Sequence, residues 1–571
     1  MSRCLTIGVV GAGGDGVVML GSLLQRLAAL QGYYSQMPRY YEPQIRGGGS
    51  AVKLGIDTEM ISLPKDKLDL LLCFDWTKYM GFATDLQLGV DSVIIYEKVP
   101  PAEANLPPQS ILIQIDFTSL SESTTGAARN KNIVALGLLE KALGLTENGL
   151  AKAIEEDEDL RLLKQHLDAY KAGQDLYSRI DLPSLAIDSP RDELPKIVLH
   201  GNKAIAQGAI RAGCQAFFGY PITPASEIME EMQNKLTQMD GAFLQAEDEI
   251  ASAGMVLGAA LTGAKSMTST SGPGLDLMTE MLGLASSVEV PFVIVDVQRG
   301  GPSTGLPSKL EQSDLNHAIY GGHGDASRVV LAAYDVPGCY RLAIESISIS
   351  QYYQVPVILL SDQWLGQTFV ATDDHFMYGD RSTLSASKPD ETDKNNYRRY
   401  KQTEDFISPM AFVGDDGFAY QTTGLTHNEE GHPSINHDNH QWLHEKRWKK
   451  LNSLRERKDL VTIIGDEEPR AGVISWGSSA QVVMQAVTEL GLQDQISICI
   501  PEMIHPLPVA VERFVHSVER LLVVELNYSG QLYHYLRSET NLPVKSASYT
   551  RSGGCPFSEA EISQQIQELL I

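Results

Sequence analysis

Residues 5–30 read LTIGVVGAGGDGVVMLGSLLQRLAAL. An apolar run gives way to GAGGDG and then to apolar residues at helical spacing. The pattern predicts a buried strand, a glycine turn and a helix. That unit opens an α/β domain with a parallel sheet. The alternation recurs along the chain. LDLLLCF and DSVIIYE read as further buried parallel strands. From about residue 197, AFFGY, AKSMTSTS, PFVIVDV and PVILLSD read as strands. NKAIAQGAIRAG, ASEIMEEMQNKL and EIASAGMVLGAALTG read as the helices between them. A smaller set opens with AGVISWGSS and continues through ISICIPEMIHPLP and RLLVVELNYSGQL. The expected fold class is α/β, with three α/β domains at 1–190, 191–455 and 456–571. DLPSLAIDSPRDELPK, rich in proline and charge, reads as the first linker. Residues 366–460 are polar and irregular, and read as an excursion, either solvated or laid over a partner.

Bulk properties exclude several classes. A chain of 571 residues holds roughly three or four domains. A net charge of −26, with no basic stripe, argues against sequence-independent binding of nucleic acid. No apolar run reaches membrane-spanning length, and the first one is short and interrupted by Asp15. The expectation is a cytoplasmic protein. Cys4, Cys73, Cys214, Cys339, Cys499 and Cys555 form no CxxC pair, so zinc-ribbon and ferredoxin-type cluster motifs are absent.

Four stretches carry candidate chemistry. Gly11, Gly13 and Gly16 match GxGxxG between a strand and a helix, where close backbone approach and a helix N-terminus suit a phosphate. A dinucleotide site also needs an acid about twenty residues on, and QGYYSQMP at 31–38 has none. Asp15 inside the loop would repel a pyrophosphate. A different phosphorylated or adenylated ligand and a purely structural turn both remain open. YYEPQIRGGGSAV adds weight to a ligand, because Arg46 sets a cation beside an accessible glycine backbone. In YPITPASE, two prolines bracket Thr223 and stiffen the loop that follows a strand. Such a loop serves a functional hydroxyl or a plain turn. In QAEDEIAS, Glu247, Asp248 and Glu249 point about 100° apart on a helix, so at most one or two turn inward. They either complement the helix dipole or supply a desolvated carboxylate. In QRGGPSTGLPSKLEQSDL, Arg299 follows a buried strand, where ligands bind in parallel sheets, and its fork suits a carboxylate. A thiamine diphosphate site usually pairs a GDG with a later asparagine that completes a magnesium site. The GDG at 14–16 has no such asparagine.

YPITP, EDEIAS, TSGPG, QRGGPSTGLP, YGGHGD, MIHPLP and ELNYSGQL occur in order. Together they make the whole chain resemble the fused gamma–alpha subunit of the 2-oxoacid:ferredoxin oxidoreductases. The resemblance implies a Rossmann-like gamma domain, a pyrimidine-type domain of thiamine diphosphate enzymes and a transketolase C-terminal-like domain. It implies thiamine diphosphate shared with a beta subunit that carries the magnesium and an iron–sulfur cluster, with no metal on this chain. Coenzyme A would be co-substrate, ferredoxin the electron acceptor, and the assembly a dimer of alpha–beta pairs. Thr223 would hydrogen-bond the oxoacid, Glu249 would contact N1′ of the aminopyrimidine, and Arg299 would pair with the substrate carboxylate. Asp15 and Gly16, with Gly13 and Arg46, would meet coenzyme A. The fused gamma part and the missing ferredoxin domain resemble the 2-oxoglutarate type, with pyruvate or a broad range as the alternative. A nicotinamide dehydrogenase lacks its ribose acid here. A non-catalytic assembly subunit would have no use for Thr223, Glu249 and Arg299 together.

Overall fold

The computed structural model describes residues 4–42, 48–145, 150, 160–378, 384–466 and 469–571. The chain divides into two compact units, residues 1–200 with 367–378, and residues 201–366 with 379–571. Among the described residues they hold three sheets, one in the first unit and two in the second.

The opening stretch forms the strand Leu5–Ala12 and the helix Val17–Ala29, as its pattern predicts. The strand lies mid-sheet, with Ile7, Val9 and Val10 almost wholly buried. On one side Lys67–Cys73, Gln87–Tyr96 and Ile111–Gln114 follow in parallel. On the other side Gly49–Asp57, Tyr34–Met37, Phe369–Thr372 and Ile197–His200 run antiparallel, each to its neighbour. Arg39–Tyr41 also pairs with Gly49–Asp57. This sheet is therefore mixed. Phe369–Thr372 comes from the stretch read as an irregular excursion, and that part of the reading is corrected here. Lys196 Nζ and Tyr34 OH reach the two carboxylate oxygens of Asp373 at 2.8 and 2.7 Å and fasten the returning strand.

In the second unit, Ala242–Gln245, Ala216–Gly219, Ser266–Thr270, Phe292–Gln298, Pro356–Asp362 and Val329–Ala332 lie side by side in parallel. Met503–His505 closes that sheet antiparallel, so the last third of the chain contributes one strand to the middle third. The third sheet runs Val461–Ile464, Ile496–Pro501, Ala471–Ser475, Arg520–Glu525 and Lys545–Thr550, parallel except for its first pair. The two sheets of this unit share one apolar core that includes Leu282, Ile294, Trp476 and Leu532. Gln312 fastens them with polar bonds. Its side-chain amide donates to the Trp476 carbonyl at 2.7 Å, and its side-chain oxygen accepts from the Leu526 N–H at 2.9 Å and the Ser479 hydroxyl at 2.7 Å.

Part of the polar stretch packs on its own chain. The helix His437–Lys449, capped by the Asn436 side chain, turns Lys446 inward onto Glu289. The solvated reading fails at these positions, because Lys446, Lys450 and Arg399 are all buried.

His505, from MIHPLP, is buried with Nδ1 3.0 Å from the Tyr535 hydroxyl and Nε2 without a hydrogen-bond partner. Burial first, and then the nearby Arg328 charge, push its pKa down to about 4. Unfolded histidine titrates near ~6.5. Below that value the unfolded chain takes up a proton that the folded one refuses. The stability this group contributes is thus complete above ~6.5 and lost as the pH falls through about 4. About 2 kcal/mol is expected to be gone by pH 5. Thermal midpoints at pH 7 and pH 5 check this, and His505→Gln is expected to flatten the difference.

Candidate active site

The parallel order of the second unit sets four loops at one sheet edge. Each leaves the C-terminal end of a neighbouring strand: Tyr220–Pro224 after Ala216–Gly219, Ala246–Asp248 after Ala242–Gln245, Ser271–Gly272 after Ser266–Thr270, and the Arg299 loop after Phe292–Gln298. That edge is where ligands bind in open α/β sheets.

Thr223 is exposed, in a turn that leads into the helix Ser226–Gln238, and the Thr223–Pro224 peptide is cis. Buried Asn202 fastens the turn by donating to the Pro224 carbonyl at 2.8 Å and to Glu227 at 2.9 Å. Arg299 Nη1 donates to the Thr223 carbonyl at 2.6 Å. The structure thus joins two of the candidates directly. Arg299 is 7% exposed, and among the described residues its Nε has no hydrogen-bond partner. Burial lowers the guanidinium pKa, against the opposing pull of Asp314 and Asp296.

The three acids of EDE divide their work. Glu247 is exposed. Asp248 caps the helix Glu249–Leu261, its Oδ1 accepting from the Ala251 N–H at 2.7 Å. Glu249 opens the helix and is 7% exposed. Asp248 thus complements the helix start, and of the three acids Glu249 is the one turned inward. The Glu249 carboxylate makes no hydrogen bond among the described residues. It lies against Gly274 of TSGPG, where an added Cβ would stand 2.8 Å from Glu249 Oε1 and would also collide with Thr270 Oγ1.

Two further acids escaped the sequence reading. Asp296 sits inside FVIVDV, wholly buried, and among the described residues its oxygens meet no donor group but face the carboxyl of Asp314. Asp314 Oδ2 likewise meets no donor group among the described residues, and it lies 2.8 Å from where a Cβ on Gly272 would stand. Burial first, and then the neighbouring acids, raise both carboxyl pKa values. Two facing carboxyls avoid repulsion by sharing a proton. The signal was an aspartate in the middle of an apolar strand. Asp314 and Arg299 line a cavity of about 460 Å³ with Gly272, Asp276 and Tyr528 of NYSGQL.

In the first unit, Gly16 caps the helix Val17–Ala29 at φ 72°, and a Cβ there would strike Asn132. The Gly13 N–H is taken by the Gly48 carbonyl at 2.8 Å. Asp15 is held from both sides. Its Oδ2 accepts from the Ala12 N–H at 2.7 Å, and its Oδ1 pairs with Lys131 at 2.9 Å. The carboxylate thus shapes the loop. Arg46 lies outside the described residues.

One sheet edge thus gathers the exposed Thr223, the buried carboxyl of Glu249 and the buried Arg299. Comparison with known proteins narrows the class. Residues 6–176 match the family model described as "Pyruvate ferredoxin/flavodoxin oxidoreductase". Residues 207–445 match "Pyruvate flavodoxin/ferredoxin oxidoreductase, thiamine diP-bdg". A 2-oxoacid:ferredoxin oxidoreductase subunit alpha from Sulfolobus sp is 31% identical over 621 aligned residues, covering 98% of this chain and 96% of the relative. The 2-oxoglutarate synthase subunit KorA of Methanothermobacter thermautotrophicus is 36% identical, over 59% of this chain and 90% of its own length. A solved 2-oxoglutarate:ferredoxin oxidoreductase from Magnetococcus marinus, with 2-oxoglutarate, coenzyme A and succinyl-CoA bound, superposes with a TM-score of 0.92. It is 34% identical and covers 100% of both chains. The chain belongs to the 2-oxoacid:ferredoxin oxidoreductases, as an alpha subunit. Among the described residues, no helix is long and apolar enough to cross a membrane.

Proposed function

We propose that the chain is the alpha subunit of a coenzyme A-dependent 2-oxoglutarate:ferredoxin oxidoreductase. It interconverts 2-oxoglutarate, coenzyme A and oxidised ferredoxin with succinyl-CoA, carbon dioxide and reduced ferredoxin. A beta subunit completes the site and carries the diphosphate anchor, the magnesium and an iron–sulfur cluster. Thiamine diphosphate, when bound, supplies the nucleophilic carbon at which 2-oxoacids lose carbon dioxide.

The residues of this chain bind, orient and hold a proton. Glu249 offers its unbonded carboxyl to the aminopyrimidine N1′, exchanging a proton at that atom. Arg299, already fixed on the Thr223 carbonyl, presents its remaining N–H groups to the 1-carboxylate. The Thr223 hydroxyl orients the keto group. The glycine loop at Gly13–Gly16, shaped by Asp15, meets coenzyme A through backbone and the following helix N-terminus. Arg299 serves one carboxylate, so the second carboxylate of 2-oxoglutarate pairs with a cation of the beta subunit. The full-length likeness to the Magnetococcus marinus enzyme supports the substrate choice.

The observation that carries the reading is Arg299, buried at the strand end with an unpartnered Nε and one hand on Thr223. The test is steady-state viologen reduction by the coexpressed alpha–beta complex with coenzyme A. 2-Oxoglutarate is expected to exceed pyruvate at least tenfold in kcat/KM. Arg299→Ala is expected to lower kcat/KM by roughly 10²-fold, about 2–3 kcal/mol of lost charge-assisted bonding. Equal or better turnover of pyruvate overturns the substrate. A fully active variant removes Arg299 from the site.

A further inference from the structure

A second cavity in the same unit, of about 330 Å³, is walled by the later turns of the helix Gly272–Val288, the loop that begins at YGGHGD, and the helix His437–Lys449. Its chemistry is cationic. Arg328 is 3% exposed; among the described residues its Nη1 reaches the Ala318 carbonyl, at 3.4 Å, and its Nε has no hydrogen-bond partner. Burial alone pushes this guanidinium down to about 10, with no carboxylate opposing it. Arg447 is also buried; it donates to the Ser287 carbonyl at 2.9 Å and leaves Nε without a partner. The acid that acts on it, Glu289, is already held by Lys446 and Lys450 at 2.6 and 2.9 Å. His440 and His444 stand on the same helix, with ring centroids 4.6 Å apart. The acids of this wall, Glu280 and Asp325, are exposed at the rim, and Glu280 faces His323 at 3.7 Å.

Two buried guanidiniums line this cavity, Arg328 with no acid acting on it and Arg447 with a Glu289 that two lysines already share, and such charges are costly unless an anion joins them. Surface electrostatics give no reason to collect them, since the protein as a whole carries −26. We propose that this cavity binds a compact oxyanion of two or more charges, with the Arg328 and Arg447 forks as its main donors and His440 and His444 at its mouth. Bidentate forks suit phosphate and carboxylate oxygens alike. The volume admits an inorganic or ester phosphate, or a small polycarboxylate. The site is separate from the cavity that Arg299 lines, where Gly272 and Asp276 stand at the N-terminal end of the same helix. The inference therefore does not rest on the substrate assigned above.

The test is titration calorimetry on the coexpressed alpha–beta complex, at fixed ionic strength set with chloride. The probes are inorganic phosphate, pyrophosphate and citrate. Saturable binding at one site per alpha chain is expected for at least one of them. Tight phosphate or pyrophosphate binding with weak citrate identifies a phosphate ligand, and the reverse order identifies a polycarboxylate. Arg447→Gln is expected to weaken binding at least tenfold. Because Arg447 is buried, the variant His440→Ala/His444→Ala supplies a second arm, with a several-fold loss at an unchanged thermal midpoint. The proposal is overturned if no probe saturates, or if affinity is unchanged in both variants, which would place the anion elsewhere, such as the glycine loop.

Discussion

Glu249→Gln is expected to lower kcat for viologen reduction by roughly 10³-fold while leaving the fold intact. The side chain is buried at the first position of its helix and makes no hydrogen bond among the described residues, so glutamine breaks no existing bond. Asp248, not Glu249, caps that helix, so the helix start survives. The amide is nearly the same size and keeps its place against Gly274. What it loses is the ability to exchange a proton with a ring nitrogen. General acid–base groups of this kind are worth about 10²–10⁴-fold, and burial beside a desolvated heterocycle favours the middle of that range or above. The expected signature is a collapse of kcat with a thermal midpoint within about 2 °C of the parent. Activity within tenfold of the parent removes Glu249 from proton exchange and leaves it a packing role.

Glu249 also shows how far the sequence could be read. Helical spacing alone stated that EDE cannot all face inward. It did not say which acid does, because the helix start was unknown to within a residue or two. The motif resemblance supplied Glu249, and the structure adds why: Asp248 takes the cap and leaves the next residue turned in. The strands were legible for a simple reason. Runs such as PFVIVDV and PVILLSD are buried on both faces, and continuous apolar composition is the mark of that environment. Asp296 was the exception within such a run, and its partner Asp314 lies eighteen residues on in a loop, a proximity no periodicity reports. The antiparallel half of the first sheet was hidden likewise. Phe369–Thr372 has only four residues, and it pairs with Tyr34–Met37 from the far end of the chain. The hold on Asp15 is not legible locally either, because Lys131 reaches it from a distant helix.

Glu289→Gln is expected to cost about 3–5 kcal/mol of stability, the usual penalty for removing one partner of a buried ion pair. Glu289 is 1% exposed at the C-terminus of the helix Gly272–Val288, in the left-handed region at φ 51°. A glycine would suit that backbone better. The carboxylate earns the position by taking Lys446 Nζ at 2.6 and 2.7 Å and Lys450 Nζ at 2.9 Å. Burial pushes its pKa up, but Lys446, Lys450, Arg399 and Arg447 outweigh this and hold it well below the ordinary carboxylate range. With an amide in its place, two buried ammonium groups lose their carboxylate, and Lys450 is left on the Gln354 carbonyl at 3.0 Å. The helix His437–Lys449, whose composition reads as a solvated surface, would then carry unpaired charge into the core. The expected observation is a large fall in the thermal midpoint, with loss of the His437–Lys449 segment's protection from amide exchange before global unfolding. The triple variant Glu289→Gln/Lys446→Met/Lys450→Met is expected to recover most of the loss, because apolar groups of similar length remove the unpaired charges. If the single variant is as stable as the parent, the cluster is solvated after all, and the polar stretch is the surface excursion its composition suggests. If the triple variant is no better than the single, the loss comes from the backbone at position 289 and not from stranded lysines.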